Sequence, residues 1–129
     1  MASVRYHIRI NRSSDDVWKL VSDAAAISEW FPGIVTSSVD GSTRLVNMGE
    51  GLDLVEEIVT NDDELRRFQY RITGGVMPVE HHLGTVDVIE DGHGALVIYG
   101  TDVRPDELAG MVGPATEGGL EGLKKKLES

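Results

Sequence analysis

LDLVEEIVTNDDELRRFQYRIT, residues 52–73, is the stretch whose reading decides the fold. Side chains alternate across an extended strand. Leu52, Leu54, Glu56 and Ile58 therefore share one face, and Asp53, Val55, Glu57 and Val59 share the other. The cluster Asn61-Asp62-Asp63-Glu64 has the make-up of a hairpin turn. In the strand that follows, Arg67 to Thr73, Phe68, Tyr70 and Ile72 face inward while Arg67, Gln69 and Arg71 face out. The result is a hairpin with one apolar face, and that face carries one acid and one phenol.

Outward from this hairpin the pattern continues. Val79 to Ile89 and Ala95 to Val103 pair across Asp91-Gly92-His93-Gly94. Upstream, Ile34 to Val39 is closed by Asp40-Gly41-Ser42, and Arg44 to Met48 by Gly49-Glu50-Gly51. The first strand alternates Val4, Tyr6, Ile8 and Ile10 with Arg5, His7 and Arg9. Ser13 with Asp16 imitates a capping box, with Asp in place of Glu. It opens a short amphipathic helix carrying Val17, Trp18, Leu20 and Val21. A second short helix is expected over Ala25 to Trp30, stopped by Pro32-Gly33. The tail from Asp106 to Leu127 reads as a helix with Leu108, Met111, Val112, Ala115, Leu120, Leu123 and Leu127 mostly on one face. Gly110, Gly113, Gly118, Gly119 and Gly122 each cost it roughly 1 kcal/mol relative to Ala, and Pro114 is expected to kink or break it. Such a helix reads as a loosely held wall whose position a ligand could set.

One strand, two short helices, a run of antiparallel strands and a final helix make an α+β plan. The expected architecture is a helix-grip fold: a curved antiparallel sheet of about seven strands around a long C-terminal helix, one domain over 1–129, with a cavity between sheet and helix.

Composition bounds the function. The chain has 129 residues and a formal net charge of −10, which would repel nucleic-acid backbones and anionic membranes. Lys124, Lys125 and Lys126, the only basic run, fall in the last turn of the final helix, where cations complement the dipole. No cysteine is present, so thiol catalysis and cysteine metal sites are excluded. His81 and His82 are adjacent on a strand and point to opposite faces, so they cannot readily chelate one ion. No dinucleotide-binding, P-loop, nucleophile-elbow or HExxH pattern occurs. Neither a metal nor a cofactor is expected. No leader-like segment and no apolar run of about 18 residues is found, so the expected location is cytoplasmic, without membrane insertion.

Strand phase nominates the site. Val86 and Val88 carry Glu80, His82 and Gly84 inward and Asp87 outward, unless a bulge reverses Glu80 and His82. Val97, Tyr99, Thr101 and Val103 share the inward face of the last strand. The expected cavity wall is Glu56, Tyr70, His82 and Tyr99 among aliphatic residues, with Thr101 beside them and Met111 on the helix. Glu56 in such a wall has a raised pKa unless paired, and His82 is a candidate partner. A Glu56–His82 pair would serve as general acid and base, with tyrosine hydroxyls orienting a carbonyl. Each group also has a purely structural reading: a hydrogen-bonded core acid, a packing histidine, core aromatics. The loop Thr73-Gly74-Gly75-Val76-Met77-Pro78, with Met77 at its apolar tip, reads as either a plain hairpin loop or a lid.

Five segments carry a family resemblance: INRSSDDVWKLVSDAAAISEWFP, GSTRLVNMGEGLDLVEEIV, NDDELRRFQYRIT, MPVEHHLGTVDV and ALVIYGTDV. In this order and spacing the chain resembles the START/Bet v 1-like (SRPBCC) superfamily, and within it the polyketide cyclase/dehydrase-like proteins. The resemblance implies a helix-grip fold with a cavity for a hydrophobic or amphipathic molecule. Arg44, Glu56 and Tyr70 stand at family motif positions. The chain departs from the family in its glycine-rich final helix and in His82, where a Tyr is common.

Three functions compete at this stage. The first is a binder of a small hydrophobic or amphipathic molecule, polyketide- or lipid-like, acting as a monomer or homodimer. The second is a cyclase or dehydratase using Glu56 and His82. The third is a protein-interaction module of the co-chaperone type.

Overall fold

The computed structural model describes all of residues 1–129. The elements run β1 (Ala2–Ile10), α1 (Ser14–Val21), a 3-10 turn (Ala24–Glu29), β2 (Thr36–Asp40), β3 (Thr43–Asn47), β4 (Asp53–Asp62), β5 (Arg67–Gly75), β6 (His81–Asp91), β7 (Gly94–Arg104), a second 3-10 turn (Asp106–Leu108) and α2 (Ala109–Glu128). The strands form one seven-stranded sheet in the order β1-β7-β6-β5-β4-β3-β2, every pair antiparallel. Only the β1–β7 pairing joins strands distant in sequence, and α2 packs across β1 and β7. This is the helix-grip architecture expected from the sequence, a curved sheet with a long C-terminal helix across it.

Local chemistry accounts for the element boundaries. Ser13 Oγ accepts the Asp16 N–H at 3.1 Å, as a helix cap should. The reciprocal half of the capping box does not form, because the Asp16 carboxylate turns to Arg12 instead. The second short helix is a 3-10 turn over Ala24–Glu29, and the strand expected from Ile34 begins at Thr36. That leaves Ile34 free to pack against the core.

Two bulges bend the centre of the sheet. Register shifts separate Val55 from Glu56 and Ile58 from Thr60 along the β4–β5 pairing. Bulges increase local twist and curvature. They lie on β4 and β5, so β6 keeps its phase: His82 is buried and His81 exposed, as the alternation requires. Glu80 does not follow that phase. It is exposed and lies outside the strand, which starts at His81, so the inward placement expected for Glu80 is corrected.

α2 runs unbroken through Pro114, so the break, one of the two outcomes expected of that proline, does not occur. Pro114 sits in the second turn, where the bond it cannot make would go to the Gly110 carbonyl. Gly110 is exposed, so water is available to that carbonyl. The closed end of the core is tightly sealed. Ile10, Val17, Ala95, Val97 and Leu123 are each 0% exposed.

Candidate functional site

A cavity of about 440 Å³ lies between the sheet and the N-terminal half of α2. That is within the range of about 300–1,000 Å³ typical of small-molecule sites. Fifteen of its 20 lining residues, Tyr70 and Tyr99 among them, are hydrophobic; they come from the 27–34 segment, β3 and the turn after it, β4, β5, the 76–78 loop, β7 and α2. The mouth is marked by lining residues that also meet solvent: Leu52 at 45% exposed, Val76 at 51% and Met111 at 54%. Leu52, expected in the core with Leu54, therefore sits at the rim; it lies just before β4, which begins at Asp53.

The polar lining is confined to Glu56, Tyr70, Tyr99, Thr101 and Thr116. Alternation along β4, β5 and β7 turns the first four inward. Glu56 is buried and ion-paired with Arg44, whose Nε donates to Glu56 Oε1 at 2.7 Å. Oε2 of Glu56 makes no hydrogen bond and is not sealed off by protein, so it opens toward the cavity that Glu56 lines. Burial pushes the Glu56 carboxyl above its usual range, and the Arg44 charge and hydrogen bond pull it back down.

Tyr70 and Tyr99 share a hydrogen bond between their hydroxyls. Burial is the main cause of the shift in both phenols: Tyr70 is pushed up to about 12 and Tyr99 rises well above its ordinary value, with the Glu56 charge adding in the same sense. Both remain protonated donors at neutral pH. Gly84 makes room for this pair, since a Cβ there would fall 2.6 Å from the Tyr70 ring. Thr116 donates to the Val112 carbonyl at 2.8 Å, which leaves Thr101 to donate to Thr116 Oγ1 at 3.3 Å.

Arg44 is not part of the cavity wall. It lies behind Glu56, 2% exposed, bordering a separate void of about 10 Å³. Its guanidinium carbon stands 5.3 Å from the Phe68 ring centroid and 5.0 Å from that of Tyr70, and Nη1 donates to the Ala24 carbonyl at 3.2 Å. Cation–π contact and ion pairing together hold a charge that burial alone would expel.

His82 is also not part of the wall. The β5–β6 ladder stops at Tyr70–Gly84, and beyond it His82 Nδ1 accepts the Ile72 N–H at 3.1 Å. The imidazole takes the place of a ladder acceptor where the strands part. Burial, with the His81 charge second, lowers its pKa to about 4, so the ring is neutral with its proton on Nε2. The expected Glu56–His82 hydrogen bond does not form; Arg44 is the partner of Glu56.

Met77, Thr101 and Met111 line the cavity with Tyr70 and Tyr99, so the residues nominated from the sequence gather there except Arg44 and His82. Thr116, Phe31 and Ile34 were missed. Thr116 had a signal, being the one polar side chain in the buried spacing Val112-Thr116-Leu120-Leu123 of α2. Phe31 and Ile34 flank Pro32-Gly33 in irregular chain, where periodicity says nothing. No group of three or more His, Asp or Glu side chains is placed to hold a metal. No helix is long and apolar enough to cross a membrane.

The same architecture occurs in solved structures. The protein XoxI from Bacillus cereus superposes with a TM-score of 0.92 at 23% identity, over 100% of this chain and 97% of that one. A START superfamily protein from Mycobacterium smegmatis gives 0.84 at 14% identity, over 98% of this chain and 97% of that one. BexL, a di-domain ARO/CYC from the BE-7585A biosynthetic pathway, gives 0.84 at 20% identity, over 99% of this chain and 47% of that one. At these identities the likeness establishes the fold. No curated protein matches the sequence. The family described as polyketide cyclase/dehydrase and lipid transport matches residues 1–128, nearly the whole length, and the chain belongs to that family.

Proposed function

We propose that this protein binds a small hydrophobic or amphipathic molecule, polyketide- or lipid-like, in the cavity under the N-terminal half of α2. The cavity itself carries the reading. It has about 440 Å³ of space and an apolar wall, and it stays open at a rim of Leu52, Val76 and Met111. A cavity of this size left without a ligand forfeits packing contacts that a filled core would have. Family membership supports the same conclusion, since the family's description covers both catalysis and lipid transport.

The test is a titration with Nile red, a neutral dye that brightens in apolar surroundings. Wild-type protein is expected to saturate at one dye per chain. Val112→Phe places a ring in the cavity from α2 and is expected to weaken binding at least about tenfold, equivalent to about 1.4 kcal/mol. Dye binding unchanged by Val112→Phe would overturn the assignment of the site.

A second reading, a cyclase- or dehydratase-type enzyme, is favoured by one observation: Glu56 shows its unbonded Oε2 to a cavity that also holds a hydrogen-bonded pair of phenols with one O–H to spare. Glu56 would then move a proton next to a carbonyl whose oxygen the Tyr70–Tyr99 pair holds. BexL, which shares the fold, is an ARO/CYC protein by name. In this reading His82 has no role at the substrate. Glu56→Gln that retains turnover of a polyketide-like substrate would remove the acid from the mechanism.

A further inference from the structure

The charge pattern at the polar end of the cavity discriminates between classes of amphipathic ligand. Glu56 is the only charged residue among the 20 that line it. No Lys, Arg or His reaches the wall. The cation that compensates Glu56, Arg44, is bonded to Oε1, to the Ala24 carbonyl and to two aromatic faces, and it borders a different void. A ligand therefore meets the acid without meeting its counter-ion.

Hydrogen-bond capacity points the same way. Thr116 spends its proton on the Val112 carbonyl and Thr101 on Thr116. One of the two tyrosine protons is spent on the other hydroxyl. What remains for a ligand is one phenol O–H and several acceptor oxygens, with Glu56 Oε2 the strongest acceptor among them. A head group that donates one hydrogen bond and accepts one fits this end. A carboxylate does not: it must leave water for an apolar site that offers it one O–H donor, and it sets its lone pairs against those of Glu56 Oε2. An ammonium does not fit either: it accepts nothing from the phenol, and Arg44 already neutralises the acid it would pair with.

We propose that the cavity takes neutral amphipathic molecules headed by a hydroxyl, phenolic or alcoholic, that donates to Glu56 Oε2 and accepts from the tyrosine pair, and that it rejects carboxylates such as fatty acids. This rests on the binding reading above, and its test separates the two. Nile red is displaced from wild-type protein at pH 7.5 by 2-naphthol, methyl 2-naphthoate and 2-naphthoate, which share one ring system. 2-Naphthol is expected to displace at a concentration at least about tenfold below that of 2-naphthoate, a difference worth about 1.4 kcal/mol. The uncharged ester should fall between them. Equal or tighter binding of 2-naphthoate would overturn the head-group selectivity and leave the cavity reading standing. Rejection of the ester as strong as that of the acid would also overturn it, because size and not charge would then be excluding both. Failure of Nile red itself to bind would remove both conclusions. In Glu56→Gln, with the fold verified by circular dichroism, the naphthol-to-naphthoate ratio should shrink to within about threefold, or about 0.65 kcal/mol. A ratio unchanged in that variant would show that Glu56 is not the selecting group. Should that variant not fold, the wild-type ranking of the three probes decides the question alone.

Discussion

The two halves of α2 both carry glycines and have opposite roles. From Gly119 to Glu128 the helix is clamped. Leu120, Leu123 and Leu127 are buried; Arg12 Nη1 donates to the Leu127 carbonyl at 2.7 Å; Lys124 Nζ reaches the Arg9 carbonyl at 2.8 Å; and the Asn11 N–H donates to Glu128 at 2.7 Å. From Ala109 to Thr116 it spans the cavity, with Met111 and Ala115 exposed at its edge and Thr116 hydrogen-bonded to Thr101. Glycine occurs in both halves but means different things. A Cβ at Gly122 would fall 2.1 Å from the Trp30 carbonyl oxygen, and one at Gly119 would fall 2.7 Å from the Phe31 ring. Around Gly110 and Gly118 the space is open. The sequence reads five glycines as looseness. In the structure Gly119 and Gly122 are the seats on which the helix closes against Trp30-Phe31-Pro32, and that contact fixes the ligand-facing half above the cavity.

The largest expected effect breaks the clamp. Gly122→Leu forces a side chain into main chain that has nowhere to move, and is expected to cost more than about 4 kcal/mol or to prevent folding, read by chemical denaturation. Next comes the buried ion pair. Glu56→Leu strands the Arg44 charge and should cost about 3–5 kcal/mol. Arg44→Met should cost less, because the carboxyl left behind can take a proton; equal losses would contradict that asymmetry. Leu123→Ala, in the sealed end, should cost about 2–5 kcal/mol. Met111→Ala, at the cavity rim, should change stability by less than about 0.5 kcal/mol while altering Nile red affinity.

His82 gives a pH dependence of intermediate size. Its pKa is about 6.5 in the unfolded chain and about 4 in the fold, so the unfolded state binds the proton first. Its contribution is fully present above pH 6.5 and is lost as pH falls toward 4, by up to about 3 kcal/mol for a shift of this size. Glu56 has the opposite sign: its raised pKa favours the fold at low pH. The difference between wild type and His82→Asn, followed from pH 7 to pH 4, isolates the histidine, and parallel curves would contradict its assigned state. One substitution is expected to give a gain. Gly118→Ala, with open space and helical backbone, should stabilise by about 0.5–1 kcal/mol.

Strand phase made most of this site legible in advance. Alternation alone turned Glu56, Tyr70, His82, Tyr99 and Thr101 inward, because burial on one face leaves a period of two in the sequence. It could not show how far along the sheet each side chain lies, so His82 and Glu56 were paired although Arg44, directly across from Glu56 on β3, holds the acid. Glu80 was misplaced because phase carries no mark of where a strand begins. Phe31 and Ile34 escaped because irregular chain has no period. The glycines of α2 were read from helix propensity, a local quantity, whereas their use depends on what lies opposite.

Amide hydrogen exchange along α2, with and without saturating Nile red, tests the central claim most directly. Binding under the N-terminal half should slow exchange at Met111 to Thr116 and leave Leu120 to Leu127, already clamped, unchanged. Equal slowing along the whole helix, or slowing confined to the clamped end, would contradict the placement of the ligand beneath the N-terminal half of α2.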